Sequence, residues 1–114
     1  MIKIVEQSML YDFYGELLTE HQKKIYEDVV FNDMSPSEIA REENISRQGV
    51  HDLIKRCDKI LKEYEDKLHL VERFTRTKKD VNLIKEILDD YKTEKDLEKI
   101  NEVLGIADRI LNEI

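Results

Sequence analysis

The chain has 114 residues, 40% of them apolar and 39% charged, which is enough to bury one core and too little for two independent ones. Its formal net charge of −7 sets it apart from strongly basic proteins that hold nucleic acid by bulk charge. A single cysteine excludes an intrachain disulfide, no apolar run approaches a bilayer span, and the opening MIKIVEQS has no signal-peptide core, so a cytoplasmic chain without membrane insertion is expected.

One Pro, three Gly and no Trp favour helices, and apolar residues recur at three and four rather than alternating, so the expected fold class is all-α with no strand. LYDFYGELL places Leu10, Phe13, Tyr14, Leu17 and Leu18 on one face of a first helix. Thr19 with Gln22 makes a capping box that opens a second helix, whose inner face is Ile25, Tyr26, Val29 and Val30 and whose end falls near Asn32.

Residues 35–56, SPSEIAREENISRQGVHDLIKR, contain two abutting helix starts around a tight turn, the layout of a helix-turn-helix. Ser35 can cap, Pro36 suits the first helical position, and Glu38 completes a capping box with Ser35. The short methyl of Ala40 lets a second helix approach closely. Asn44 stands where the chain must turn and tolerates the left-handed region, and Ile45 is expected to plug the corner. Ser46 caps the next helix, whose inner residues Val50, Leu53, Ile54 and Cys57 lie three and four apart. Cys57 then behaves as a small buried hydrophobe. The opposite face shows Arg47, Gln48, His51, Asp52, Lys55 and Arg56. In a DNA-binding helix-turn-helix such a face enters the major groove, with Arg and Gln reading bases. The competing reading is a helix-turn-helix core used only for packing, with His51 a plain surface histidine.

Charge is unevenly spread. Residues 1–34 hold three basic and seven acidic groups, whereas Arg47, Lys55 and Arg56 outnumber Asp52 within residues 46–56. The helical period continues through Ile60, Leu61, Tyr64, Leu68 and Val71 without Gly or Pro, so the fourth helix should run to about Leu70. RFTRTKK, residues 73–79, changes composition and predicts a junction between helices; its basic run reads as a solvated linker rather than a phosphate site. Val81, Ile84, Ile87, Leu88 and Tyr91 define a fifth helix, and Thr93 with Asp96 starts a sixth. There Leu97, Ile100, Leu104, Ala107, Leu111 and Ile114 alternate spacings of three and four, a narrow seam that needs a partner helix. Residues 1–70 therefore form the helix-turn-helix module with its extended fourth helix, and 71–114 a C-terminal helical arm. The seam and the arm point to a homodimer; a closed monomeric bundle is the alternative.

No nucleophile motif, glycine-rich phosphate loop or zinc spacing is present, and His21, His51 and His69 have no ligand cluster beside them in sequence. Catalysis, a cofactor and a metal are not expected. Tyr11, Tyr14, Tyr26, Tyr64 and Tyr91 read as core-edge residues with wet hydroxyls. The candidate nucleic-acid-binding residues are Arg47, Gln48, His51, Lys55 and Arg56.

LYDFYGELLTEHQ at 10–22, the motif SPSEIAREENISRQGVHDLIKR and its continuation CDKILKEYEDKL resemble the YlxM family of small bacterial proteins, whose helix-turn-helix is similar to region 4 of sigma-70-type factors. The likeness covers residues 10–68. It implies a gene beside those for the GTPase of the signal recognition particle and its receptor, hence an accessory or regulatory role in that pathway. Partners would then be DNA, the particle's RNA or its GTPase. The chain departs from the family pattern at Glu43, where Leu or Phe is usual, at Asn44, where Gly is usual, and at Gly49, often Ala. Gly49 should weaken the start of the reading helix by up to about 1 kcal/mol.

Overall fold

The structure is a computed structural model that describes residues 4–113, the side chain of residue 94 apart. Among the described residues there are six α-helices and no strand: α1 (Ile4–Tyr14), α2 (Glu20–Tyr26), α3 (Pro36–Glu43), α4 (Arg47–Leu68), α5 (Leu70–Glu94) and α6 (Leu97–Glu113). A 3₁₀ turn, Gly15–Leu17, extends α1, and a π-helical turn, Glu27–Phe31, extends α2. The chain divides into two compact units, Met1–Val71 and Glu72–Ile114. The expected all-α class holds.

In the first unit the local starts follow the side chains that can cap them. Thr19 and Gln22 form a complete reciprocal capping box. Ser35 accepts from the Glu38 amide at 3.1 Å, but the Glu38 carboxylate takes the Ser35 hydroxyl at 3.3 Å, so this box is only half formed. Ser46 accepts from the Gly49 amide at 2.9 Å.

Two apolar clusters fill the unit. Leu10, Tyr14 and Leu18 meet Tyr26, Cys57 and Leu61, joining α1 and α2 to α4. Ile25, Ile39 and Val50 close the space between α2, α3 and α4, with Ala40 packed at its edge. Leu53 and Ile54 touch both clusters, so α4 is the common wall. Gly15 lets the chain press on the Tyr11 ring, since a Cβ there would lie 2.9 Å from that ring.

Several expected inner residues are not inner. Phe13 and Leu17 are exposed, because the helix tightens to 3₁₀ after Tyr14 and the predicted single face breaks. Ile45 is likewise exposed at the corner it was expected to plug. Tyr14 and Tyr26 are fully buried, not at the core edge, and their hydroxyls are dry: Tyr14 donates to Glu65 at 2.5 Å and Tyr26 to Asp58 at 2.6 Å. Gln7 also reaches Asp58, at 3.1 Å, and Tyr11 donates to Glu27. Each buried ring thus ends on a carboxylate from a neighbouring element, which satisfies both polar groups.

The predicted junction at residues 73–79 is helical, lying within α5. The break is instead at His69, in the left-handed region with φ 56°. Tyr14 and Glu65 hold it there: the Leu70 amide donates to the Tyr14 hydroxyl at 3.2 Å and the Val71 amide to Glu65 at 2.9 Å. These contacts satisfy amide donors that a helix start leaves open.

The second unit is an antiparallel hairpin of α5 and α6. Arg76–Glu113 at 3.3 Å, Asp80–Arg109 and Asp90–Lys99 at 3.8 Å all fall in one register. Thr93 does not begin α6; it lies in α5, its hydroxyl 3.5 Å from the Asp89 carbonyl, and Asp96 caps α6 by accepting from the Glu98 amide at 2.9 Å. The predicted seam is split by the hairpin. Ile100 and Ala107 are part-buried, whereas Leu97, Leu104 and Leu111 are exposed and Ile106, outside the seam, is buried. Ile114 lies outside the described residues.

Candidate nucleic-acid interface

The turn between α3 and α4 is Asn44–Ser46. Asn44 adopts φ 55° and ψ 44°, the left-handed helix stop, and the Ile45 amide closes the turn on the Ala40 carbonyl at 3.1 Å. Ser46 then returns the chain to extended geometry and caps α4. Burial of Ile39 against Val50 holds the two helices together across the turn, so the outer side of α4 faces solvent at its N-terminal end.

Arg47, Gln48, His51, Lys55 and Arg56 are all exposed on that outer side. Helical spacing sorts them into two rows. Arg47, His51 and Lys55 stand four apart in one row, with no acidic residue among them. Gln48, Asp52 and Arg56 form the second row, where the Gln48 amide donates to Asp52 at 3.0 Å. Among the described residues Arg47, Lys55 and Arg56 make no ion pair. Their charge is therefore available to an anion. Asp52 reduces the field of the second row and occupies its Gln.

Glu43, which stands where Leu or Phe is usual in the family pattern, ties α3 to α2. Its carboxylate bonds Lys24 of α2 at 3.0 Å and lies 3.4 Å from His21 Nε2, so polar contacts do the work that an apolar side chain would do at the end of α3. The Lys24 ammonium, hydrogen-bonded to it, holds the Glu43 carboxyl below the usual carboxylate range, and His21 adds to this. This clamp was not legible beforehand, because Lys24 and Glu43 are separated by the whole of α2's end and α3. At Gly49, an added Cβ would meet the Ser46 cap oxygen at 3.1 Å.

A cleft of about 620 Å³ borders the first row. Its walls include Val29, Val30, Pro36, Val50 and Ile54, and His51 and Lys55 stand at its edge. Asp58 also lines it, with its carboxylate already taken by Gln7 and Tyr26.

The family model "UPF0122: Putative helix-turn-helix protein, YlxM / p13 like" matches residues 1–103. The chain belongs to the UPF0122 family. Among its UPF0122 relatives, a protein of Desulforamulus reducens is 38% identical over 104 residues, covering 91% of this chain and 89% of its own. One from Acetivibrio thermocellus is 47% identical over 93 residues, covering 82% of this chain and 77% of its own. The YlxM protein of Bacillus subtilis is 38% identical over 106 residues, 93% of this chain and 96% of its own. A UPF0122 match through residue 103 reaches well into α6, beyond the residues that carried the resemblance in sequence. No helix among the described residues is long and apolar enough to cross a membrane.

Proposed function

We propose that the chain is a nucleic-acid-binding regulatory protein of the cytoplasm, which docks through the outer side of α4, works as a homodimer and binds rather than catalyses. The observation that carries this reading is the row Arg47–His51–Lys55, free of acidic residues and, among the described residues, of ion pairs, on the second helix of a capped helix-turn-helix. In the major groove Arg47 and Gln48 would meet base edges at the helix N-terminus, His51 would follow one turn on, and Lys55 and Arg56 would hold phosphates. Acidic surroundings keep non-specific affinity low, so contacts on this face must supply the binding.

A second reading is an adaptor of the signal recognition particle, meeting its RNA or its GTPase without reading DNA sequence. It is favoured by the bond from Gln48 to Asp52, which ties up one base reader, and by the net charge of −7. RNA helices hide the groove that a reading helix needs, so contacts there go to phosphate and shape.

Selection of duplexes from a random pool tests the first reading. A recovered site should bind in the presence of competitor DNA, and Arg47→Ala should cost about 1–3 kcal/mol and relax preference at one position. Recovery of no duplex overturns it. For the adaptor, affinity capture should bring down the particle's RNA or GTPase and lose it in Lys55→Glu/Arg56→Glu; unchanged capture removes these residues from the contact.

A further inference from the structure

The C-terminal unit has an apolar face that its own hairpin leaves open. In α6 the side turned to α5 centres on buried Ile106 with part-buried Val103 and Ile110, and Lys99, Arg109 and Glu113 make the ion pairs to α5. Leu97, Leu104 and Leu111 stand apart from that side at seven-residue intervals, 72%, 58% and 67% exposed. In α5, Asp80 and Ile87 are buried toward the hairpin, while Val81 and Leu88, also seven apart, are 44% and 36% exposed.

At about 100° per residue, Val81 and Leu88 sit roughly a quarter turn from the inner side of α5, and the leucines roughly a third of a turn from the inner side of α6. Both offsets have the same rotational sense. Because the helices are antiparallel, equal sense places both rows on one face of the hairpin.

The spacing says what covers such a face. Each helix has one apolar row for its hairpin mate and a second row beside it at heptad interval, the pattern of a helix with two helical neighbours in a four-helix bundle. A two-helix hairpin supplies only one neighbour per helix. The missing two are present in a second copy of the same hairpin.

Charge then selects the arrangement. Lys78, Lys85 and Lys92 run along the outer edge of the α5 row, and Asn101, Asp108 and Asn112 along the outer edge of the leucine row. Laying α5 over α5 would set lysines against lysines. Laying α5 over α6 of the other copy sets them against a neutral and acidic edge.

We propose that this face packs on the same face of a second copy as an antiparallel four-helix bundle, with α5 of each protomer over α6 of its partner. This rests on the self-pairing proposed above and names the surface that makes it.

Light scattering on the full chain at micromolar concentration should give a mass near ~27 kDa for two 13.6 kDa chains. A wild-type monomer overturns the pairing itself. Leu104→Glu should raise the dimer Kd at least about tenfold while leaving the helical circular dichroism unchanged, since the side chain is already largely in solvent. Should it lose helix, Leu111→Glu makes the same demand at the other end. A dimer that survives with wild-type Kd in a folded variant overturns this face and leaves self-pairing to another surface. Lys78→Gln/Lys85→Gln/Lys92→Gln should loosen the pair; an unchanged or tighter pair overturns the α5-over-α6 arrangement.

Discussion

Asn44 shows how one side chain sets the geometry on which the candidate interface depends. With φ 55° it ends α3 and aims Ser46 to cap α4. An L-residue held in this region pays roughly 1–2 kcal/mol, and Asn pays less because its short amide is tolerated there. Asn44→Ala should therefore destabilise the first unit by about 1 kcal/mol, whereas Asn44→Gly should be neutral or stabilising. Urea unfolding of both variants checks this, and an Ala variant as stable as wild type would show that the turn is not held left-handed. The capping residues of this segment were legible in sequence because a cap is a contact between near neighbours. Glu43 was not: its partner Lys24 belongs to another helix, and no local rule links a helix-ending glutamate to a lysine nineteen positions earlier.

Helices in the first unit are tied by tyrosine–carboxylate bonds as well as by apolar packing. Tyr26 on α2 donates to Asp58 on α4 from a fully buried ring, and its ring stacks on Tyr11 at 5.5 Å between centroids. Tyr26→Phe keeps the ring and strips one donor from the carboxylate, so it should cost about 1.5–3 kcal/mol, the range for hydrogen bonds to charged groups. A loss well under that range would mean that Gln7 or solvent replaces the hydroxyl. At this scale the reading of periodicity succeeded for α2, α3 and most of α4, where spacing, caps and burial agree. It carried α4 to about Leu70, two residues past its end, but set a junction over 73–79 because RFTRTKK is polar without being helix-breaking; a composition shift marks exposure, not a stop. The true stop, His69, has no glycine to announce it and is fixed by Tyr14 and Glu65, contacts that only the folded chain assembles. The seam of α6 failed for a related reason. Its heptad is real, but a heptad cannot say which of its two rows meets the hairpin mate.

Across the whole molecule, groups that burial pushes toward their neutral form are concentrated in Met1–Val71, and this gives the chain a directional response to alkali. Burial drives the Tyr26 and Tyr11 hydroxyls well above their usual range, with Asp58 and Glu27 as hydrogen-bonded neighbours adding to it, and raises Tyr14 beside Glu65. It also pushes the Cys57 thiol from 9.0 up to about 11. A group whose folded pKa lies above its unfolded value contributes stability fully below the unfolded value and loses it as pH rises toward the folded one. For Cys57 that window is about 9 to 11, and for the tyrosines it opens near their ordinary value of 10.0. The melting temperature should therefore hold from neutral pH to about 9 and fall steeply above it. Tyr11, Tyr14, Tyr26 and Tyr64 lie in the first unit and only Tyr91 in the second, so near-ultraviolet tyrosine dichroism should collapse while part of the far-ultraviolet helix signal, that of the hairpin, survives. In the same titration the Cys57 thiol should resist a disulfide reagent at pH 8 and become reactive as the tyrosine signal is lost, because the reactive thiolate forms only when the core opens. A melting temperature flat through pH 11, or a thiol that reacts at pH 8 with the dichroism intact, would contradict the dry burial of these groups against α4.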